Sequence, residues 1–353
     1  MEISNINSEE CVLQKNKFGD YDYVRINSKE LLNLSLKFKE FYEYKALILS
    51  SGNHAINIML RYILNKYNNK KINFIFPSEL YSDTSKHIFE LQKIYNFSYN
   101  IFDISNQDIE LTDIANKLYK SNTIDKNIIF AESCSNPNGY CINYENLQKF
   151  KLKISNTLII IDNTWLTYLL SNPLEYNCID YVVLSLTKYY TGSTIISGAI
   201  IPKNDFNDIL NLVKLEGIHI CPIICNKINS SFSEMPIRLQ NASNNTIKIL
   251  DVLKNYTSIL ICHPFLFSKK FKNGLYPSVF TITVNNCSKE KLINKVKNNN
   301  INYKTSFGGP DTRIDPYPKL NFDGSITFRI SIGYLTDIIY DEHKITTLIS
   351  QLI

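Results

Sequence analysis

Two short apolar segments of the sequence lead into polar residues that an ordinary core would not require. Leu158–Ile161 leads into Asp162, and Tyr181–Leu184 leads into Ser185, Thr187 and Lys188. Such segments are typical of strands buried in a parallel sheet, where ligands bind at the carboxyl ends. A carboxylate and a lysine placed there suit pyridoxal phosphate: the amine can form a Schiff base, and the carboxylate can keep the pyridine nitrogen protonated. A buried Asp–Lys ion pair explains the same residues equally well.

The elements that would position these residues alternate between strands and helices. Short apolar runs separated by turns and helical segments predict a series of strands. The predicted strands are Ala46–Leu49, Ile72–Phe76, Tyr99–Phe102, Ile128–Ala131, Leu158–Ile161, Tyr181–Leu184 and Ala199–Ile201. This alternation is typical of an α/β fold with a mostly parallel sheet. We assign residues 46–215 to this cofactor-binding domain, preceded in residues 1–45 by an arm and a helix around Ser28–Tyr44.

The pattern changes after residue 215. A long helix is predicted over Met235–Leu253, with Pro236 near its start, where proline is tolerated. Further strands and helices are predicted over Ser278–Val284, Lys289–Asn298, Thr327–Ile332 and Asp341–Leu352. Ser278–Val284 has the period-2 alternation of an antiparallel-type strand. Because such strands alternate here with helices, residues 216–353 are predicted to form a smaller α+β domain.

Composition excludes several classes of protein. The 353 residues are 44% hydrophobic and 20% charged, which argues against global disorder. The net charge of +5 is scattered, so we expect no nucleic-acid binding. The sequence shows no signal peptide and no membrane-spanning apolar run, and its Cys and His residues have no metal-ligand spacing. We therefore predict a cytoplasmic protein that binds neither membrane nor metal.

A turn of small residues follows the first predicted strand and opens a helix. Its sequence is Ser50-Ser51-Gly52-Asn53, and the apolar residues of the following helix share one face. Free backbone N–H groups and the positive end of the helix dipole can bind an anion at such a turn. Any strand-to-helix turn can carry Ser and Gly as a cap, so this feature alone indicates little.

Several segments together resemble the Cys/Met-metabolism group of pyridoxal-phosphate enzymes: cystathionine γ-synthase, cystathionine β- and γ-lyases and methionine γ-lyase. Asp162–Thr164 matches the family pattern Asp-Asn-Thr, Ser185–Tyr189 matches Ser-x-Thr-Lys-Tyr, and Asn172–Leu174 lies between them as Asn-Pro-Leu. The resemblance extends from Tyr23 to Ile349. It implies a fold-type I transferase fold, similar to aspartate aminotransferase, with pyridoxal 5'-phosphate as cofactor and a small amino acid as substrate.

The resemblance also assigns cofactor-binding roles. Lys188 would form the Schiff base and later move protons, and Asp162 would pair with the pyridine nitrogen. Tyr81 would stack on the ring and help to move protons, and Asn136 would contact the ring hydroxyl. Hydroxyl and backbone N–H contacts to the phosphate would come from Ser185, Thr187, Gly52 and Asn53.

Further assignments concern the neighbouring subunit and the substrate. Tyr23 and Arg25 resemble a Tyr-x-Arg motif that reaches the phosphate from a neighbouring subunit, a bidentate task that suits a guanidinium. Arg329 matches the arginine that binds the substrate carboxylate, although a structural Asp could equally partner it. Ser306 lies in a loop that resembles the one beside that carboxylate. The resemblance thus implies a homodimer or homotetramer with shared active sites.

The reaction stays open because the same residues serve lyases and synthases. Trp165 resembles the Asp-Asn-Thr-Trp of some cystathionine β-lyases, with a core Trp as the plain alternative. We expect a trans-sulfuration carbon–sulfur lyase acting on cystathionine or a related sulfur amino acid. The second hypothesis is γ-replacement, as in cystathionine γ-synthase or an O-acylhomoserine sulfhydrylase. The departure from the family at Gly192–Ile195 motivates a third hypothesis, a non-catalytic scaffold. Further departures at His54 and Ser82-Asp83 (Gly-Gly or Gly-Cys in the family) leave the substrate open.

Overall fold

The structure is a computed structural model that describes residues 28–353. Tyr23 and Arg25 lie outside these residues, together with most of the predicted arm. The described chain begins with helix α1 (Lys29–Tyr42), close to the helix predicted around Ser28–Tyr44. Ser28 caps this helix because its Oγ accepts a hydrogen bond from the backbone N–H of Leu31 at 3.1 Å.

Within residues 28–353, seven strands form a large sheet in which only β7 runs antiparallel to the others. The strands are β1 (Leu47–Leu49), β2 (Ile72–Pro77), β3 (Ser98–Phe102), β4 (Lys126–Glu132), β5 (Thr157–Asp162), β6 (Tyr181–Ser185) and β7 (Gly198–Pro202). Their order across the sheet is β1-β7-β6-β5-β4-β2-β3. All seven correspond to strands predicted from apolar runs, and the mostly parallel α/β sheet is confirmed.

Helices cover both faces of this sheet, which explains why its central strands, such as β5, are nearly continuous apolar runs. The helices are α2 (Gly52–Lys66), α3 (Ser82–Tyr95), α4 (Gln107–Ser121), α5 (Tyr144–Lys153), α6 (Thr167–Leu170) and α7 (Phe206–Glu216). Successive strand residues point to opposite faces. In β5, Ile160 packs into the core under α2 and α7, whereas Ile159 and Ile161 pack into the core under α1 and α5.

The elements after α7 include a smaller, mostly antiparallel sheet. They are α8 (Pro222–Phe232), α9 (Met235–Leu253), β8 (Ile259–Cys262), β9 (Val279–Val284), α10 (Lys289–Asn298), β10 (Asn302–Tyr303), β11 (Arg313–Ile314), β12 (Lys319–Leu320), β13 (Ile326–Ser331) and α11 (Ile338–Leu352). The strand order is β10-β11-β13-β9-β8, and β12 pairs with β13. None of the helices in residues 28–353 has the length and apolarity needed to cross a bilayer.

The long helix α9 connects the two sheets, and its two ends pack into different hydrophobic cores. Met235 and Leu239, near its start, pack into the core of the large sheet, together with residues of α8. Ile249 and Leu253, near its end, pack into the core of the small sheet. The division at residue 216 therefore stays a prediction, since packing on the large sheet continues into the first half of α9.

Candidate active site

A cavity of about 260 Å³ opens where the carboxyl ends of β4, β5 and β6 meet the amino end of α2. Its walls contain every cofactor-binding residue that the sequence predicts within residues 28–353: Gly52, Asn53, Tyr81, Asn136, Asp162, Ser185, Thr187 and Lys188. These residues come from distant segments, and the parallel strands bring them to one edge of the sheet. Their proximity is thus a property of the structure, while their individual roles stay predictions.

The amino end of α2 packs so closely on β6 and β7 that two glycines are required. A Cβ atom on Gly52 would lie 2.7 Å from the Cβ of Ser185, and one on Gly198 would lie 2.2 Å from the carbonyl oxygen of Ser51. Ser51 caps α2, because its Oγ accepts from the backbone N–H of His54 at 3.1 Å. The free N–H groups of the helix therefore stand beside the Ser185 hydroxyl, an arrangement that fits a phosphate.

Two other residues predicted at the phosphate have side chains engaged elsewhere. The Thr187 hydroxyl donates to the carbonyl oxygen of Ser197 at 3.2 Å and accepts from its N–H at 3.1 Å. The Asn53 amide donates to Oδ2 of Asp83 at 3.2 Å. For Asn53 this agrees with the predicted use of its backbone N–H. The Thr187 hydroxyl therefore connects the backbone just before Lys188 to Ser197. Its contact with a phosphate stays a prediction.

Asp162 is buried at the end of β5, and hydrogen bonds engage one of its two carboxylate oxygens. Oδ1 accepts hydrogen bonds from the backbone N–H of Thr164, at 2.9 Å, and from its hydroxyl. In the part of the chain that the structure describes, Oδ2 has no hydrogen-bond partner. Burial raises the pKa of Asp162 to about 6. A protonated pyridine nitrogen at Oδ2 would offset the cost of burying this carboxylate, so the residue fits the pyridine end of the cofactor.

The Lys188 amine lies inside the cavity. Its Nζ donates to Oγ of Ser306 at 2.7 Å and lies 5.4 Å from the ring centre of Phe307. Burial lowers the pKa of Lys188 from 10.5 to about 8, and the positive charges of Arg329 and Arg313 add to this effect. A larger fraction of Lys188 is therefore the neutral, nucleophilic amine at neutral pH than for a solvated lysine.

This pKa predicts how the cofactor-free protein captures pyridoxal phosphate. Only the neutral amine attacks an aldehyde, so the rate should rise about tenfold per pH unit at acidic pH and level off above the pKa. We expect the midpoint near 8 rather than at 10.5. Stopped-flow absorbance over a pH series measures it. A capture rate that still rises steeply above pH 9, roughly a unit past the expected midpoint, would show an amine unaffected by burial.

The guanidinium of Arg329 binds two side chains, Asn136 and Asp315. One guanidinium nitrogen donates to Oδ1 of Asn136 at 3.1 Å, and another pairs with Oδ2 of Asp315. The structural Asp that the sequence left open as an alternative thus exists. Because both arms of Arg329 are engaged, a substrate carboxylate would have to share the guanidinium with Asp315 or displace it. Binding of substrate by Arg329 stays a prediction.

Sequence reasoning missed Glu132, a second carboxyl group at the strand ends. Glu132 ends β4 in register with Asp162 of β5, and its Oε1 accepts from the backbone N–H of Tyr81 at 2.6 Å. Among the described residues, its buried Oε2 has no hydrogen-bond partner. Burial, and then the charge of Asp162, raise the pKa of Glu132, which favours the neutral acid. Its position at the end of a predicted strand was the signal that could have found it.

Arg238 is a second residue that the sequence did not single out. It lies buried on α9, where one nitrogen donates to the carbonyl oxygen of Tyr190 at 3.0 Å and to that of Ser231 at 2.6 Å. Glu234 pairs with another nitrogen at 2.7 Å. Arg238 thereby holds the backbone two residues after Lys188. An arginine on the apolar side of the predicted helix Met235–Leu253 was the available signal.

The atypical loop at Gly192–Ile195 supports the opposite wall of the cavity. Ser193 donates from its Oγ to the carbonyl oxygen of Phe307 at 2.6 Å. Gly308 follows with a φ of 76°, and a Cβ there would lie 2.8 Å from the carbonyl carbon of Lys188. The changed loop therefore holds the Ser306–Phe307 segment against the lysine, so its departure from the family pattern leaves this part of the cavity intact.

Fold and cavity together define a class of protein. The helix amino end fits a phosphate, the free carboxylate oxygen fits a protonated ring nitrogen, and the Lys188 amine, with its lowered pKa, fits an aldehyde. These are the three groups of pyridoxal phosphate that a protein must hold, and an open α/β sheet presents them at its strand ends. The class is that of pyridoxal-phosphate-dependent enzymes with an α/β sheet.

Comparison with known proteins identifies the family. The model of the Cys/Met metabolism PLP-dependent enzymes matches residues 3–316, and the chain belongs to this family. It is 26% identical to cystathionine beta-lyase from Schizosaccharomyces pombe over 242 residues, 67% of this chain and 58% of that enzyme. It is 28% identical to L-methionine gamma-lyase from Fusobacterium nucleatum over 158 residues, 43% of this chain and 40% of that enzyme. The chain therefore matches roughly half the length of these relatives.

A solved structure confirms the predicted fold class. O-acetylhomoserine (thiol)-lyase from Campylobacter jejuni aligns with a TM-score of 0.75 and 20% identity, covering 93% of this chain and 88% of that one. Its crystal structure contains a pyridoxyl-lysine phosphate. The fold-type I assignment and the family resemblance, both drawn from the sequence, are confirmed.

Proposed function

We propose that the protein is a pyridoxal-phosphate-dependent carbon–sulfur lyase that acts on cystathionine or a related sulfur amino acid. The observation that carries this proposal is the position of the Lys188 amine, which donates to Ser306 within the cavity that Asp162 also lines. The family supports the cofactor, and two relatives of similar sequence are named for lyase activities on cystathionine and L-methionine.

Each cofactor-binding residue has a task that its surroundings support. The Gly52 turn and the Ser185 hydroxyl would hold the phosphate, and Oδ2 of Asp162 would hold the protonated ring nitrogen. When bound, the cofactor supplies an electron sink that stabilises negative charge at the substrate α-carbon. Lys188 would anchor the cofactor covalently. Once displaced by substrate, its amine would take the α-proton and deliver a proton to the sulfur side, because its pKa of about 8 suits exchange near neutral pH.

The region proposed for the substrate combines a charged group with aromatic walls. Arg329 does not itself line the cavity, but it contacts Asn136, which does. Arg329, oriented by Asn136, would bind the α-carboxylate by sharing its guanidinium with Asp315. Trp165 packs edge-on against Phe307 with ring centres 5.5 Å apart, and both line the cavity. These rings would exclude water and contact the carbon chain of a thioether.

The assembly that we propose is a homodimer or homotetramer with shared sites. The cavity wall, as formed by residues 28–353, contains no arginine at the phosphate end. The resemblance of Tyr23 and Arg25 to the family motif suggests that a neighbouring subunit supplies one. The proposal of a cytoplasmic location rests on the sequence alone.

The reaction is tested by its products. Elimination from cystathionine at Cβ yields pyruvate, homocysteine and ammonia, whereas elimination at Cγ yields 2-oxobutyrate, cysteine and ammonia. We expect one of these keto acids from the loaded protein, and pyruvate would agree with Trp165. Absence of both, with cystathionine formed from an activated homoserine and cysteine, would replace the lyase by γ-replacement. A protein that captures no cofactor would favour the non-catalytic scaffold.

A further inference from the structure

Asp83 places a carboxylate beside Tyr81, at a position where the family tends to have glycine or cysteine. Asp83 lies in the first turn of α3. The Tyr81 hydroxyl donates to Oδ2 of Asp83 at 2.9 Å, and the Asn53 amide donates to the same oxygen at 3.2 Å. Lys86 donates to Oδ1 at 2.9 Å. One carboxylate therefore connects the ring-stacking residue to the helix turn at the phosphate end.

The charges around this group favour an ionised Asp83 and a neutral Tyr81. The hydrogen bond from Lys86, with help from Asn53 and Tyr81, lowers the pKa of Asp83 to about 2. Burial, and then the hydrogen bond to Asp83, raise the pKa of Tyr81 to about 12. Ionisation of the phenol would place two negative charges in hydrogen-bond contact, which is unfavourable. The carboxylate thus keeps the phenolic proton in place.

The other titratable and polar groups near Tyr81 do not reverse the preference of its phenol for the neutral form. Asp162 on β5 adds negative charge, and Glu132 on β4 binds the Tyr81 backbone N–H while burial favours its neutral form. On α3, burial lowers the pKa of His87, which favours the uncharged ring. Asn53 on α2 lowers the pKa of Tyr81, but its contribution is smaller than those of burial and Asp83.

We propose that Asp83 is a positioning residue that keeps Tyr81 a neutral hydrogen-bond donor, so that Tyr81 stacks on the cofactor ring without acting as a base. Movement of protons in this chain then falls to Lys188. Asp83 also engages the side-chain amide of Asn53, whose backbone N–H lies in the first turn of α2, where it can bind the anion. The roles at the cofactor rest on the proposed function, whereas the ionisation of Tyr81 is a property of the protein alone.

The test is a titration of Tyr81 in the cofactor-free protein by carbon-13 NMR of Cζ-labelled tyrosine. The chain has 23 tyrosines, so the Tyr81 signal is assigned with Tyr81→Phe. We expect a midpoint near 12 in the wild type. In Asp83→Asn, and in Asp83→Gly, we expect it at least about one pH unit lower. An unchanged midpoint in the folded variants would overturn the proposal.

The matched control is Asp251→Asn. Asp251 pairs with Lys254 three residues along α9 at 2.7 Å, as Asp83 pairs with Lys86 along α3. The control removes the same kind of helix ion pair and should leave the Tyr81 midpoint unchanged. A shift as large as that of Asp83→Asn would show a general charge effect and would also overturn the proposal. Because the titration needs no cofactor, it stays decisive even if the proposed lyase activity is absent.

Discussion

The Lys188→Ala protein is expected to capture no pyridoxal phosphate covalently and to lose the proposed lyase activity. A positioned acid–base group alone contributes about 10²–10⁴-fold to a rate, so the loss should be at least of this size. Covalent anchoring is lost in addition. Mass spectrometry after borohydride reduction measures the capture, and keto acid release measures the activity. The fold should survive, because the change removes an amine whose burial is unfavourable, as its lowered pKa shows.

The matched control is Lys203→Ala. Lys203 is also partly buried, but its Nζ donates to the carbonyl oxygen of Tyr176 at 2.9 Å, and it does not line the cavity. We expect this variant to capture the cofactor with the wild-type stoichiometry. If Lys188→Ala still formed a reducible covalent adduct, another amine would be the anchor, and the assignment of Lys188 would be wrong.

The Gly52→Ala protein is expected to bind pyridoxal phosphate at least about tenfold more weakly, equivalent to about 1.4 kcal/mol. Intrinsic helix propensity favours alanine by about 1 kcal/mol. The new Cβ, however, would lie 2.7 Å from the Cβ of Ser185 and 3.1 Å from its Cα. The Cα of Ser185 is part of the backbone and cannot rotate away from the new Cβ, so α2 must move away from β6. Such overpacking costs about 1–3 kcal/mol. A cofactor titration followed by absorbance measures affinity, and the Tm measures stability.

Gly324→Ala separates loss of the phosphate site from general destabilisation. A Cβ on Gly324 would have no heavy atom within 4 Å, but the φ of this residue is 80°. Alanine in this left-handed conformation costs about 1–2 kcal/mol, so the Tm should fall. We expect cofactor affinity to stay at the wild-type value. Equal affinities in Gly52→Ala and the wild type would exclude the close packing of α2 on β6 as part of the phosphate site.

The strands of the large sheet could be predicted from their apolar pattern because most of this sheet is buried between helices on both faces. In β5, both faces of the strand are covered, so Leu158–Ile161 reads as one apolar run with defined ends. The helix α9 was predicted with both ends as observed. The boundary between the domains was harder to place, because α9 contacts both cores and hydrophobic periodicity does not reveal which core a residue joins.

The sequence predicted site residues at or near strand ends, with Glu132 at the end of β4 as an exception, and it missed contacts between distant segments. Asp162 is the last residue of β5, and Lys188 lies three residues after the end of β6, so the sheet topology brings them to the same edge. The contact of Glu132 with Tyr81 joins residues 51 positions apart, and Arg238 on α9 contacts the backbone of Tyr190 in the turn after Lys188. Local patterns do not encode such contacts.

The amino-acid sequence by itself specifies the chemical groups at the cavity and the family to which they belong. Their charge states depend on folding. Burial brings the pKa of Lys188 to about 8 and that of Asp162 to about 6, and Asp83 holds the proton on Tyr81. The free energy of an ionised group depends on its solvation and on the charges beside it, and both exist only once distant segments are packed together.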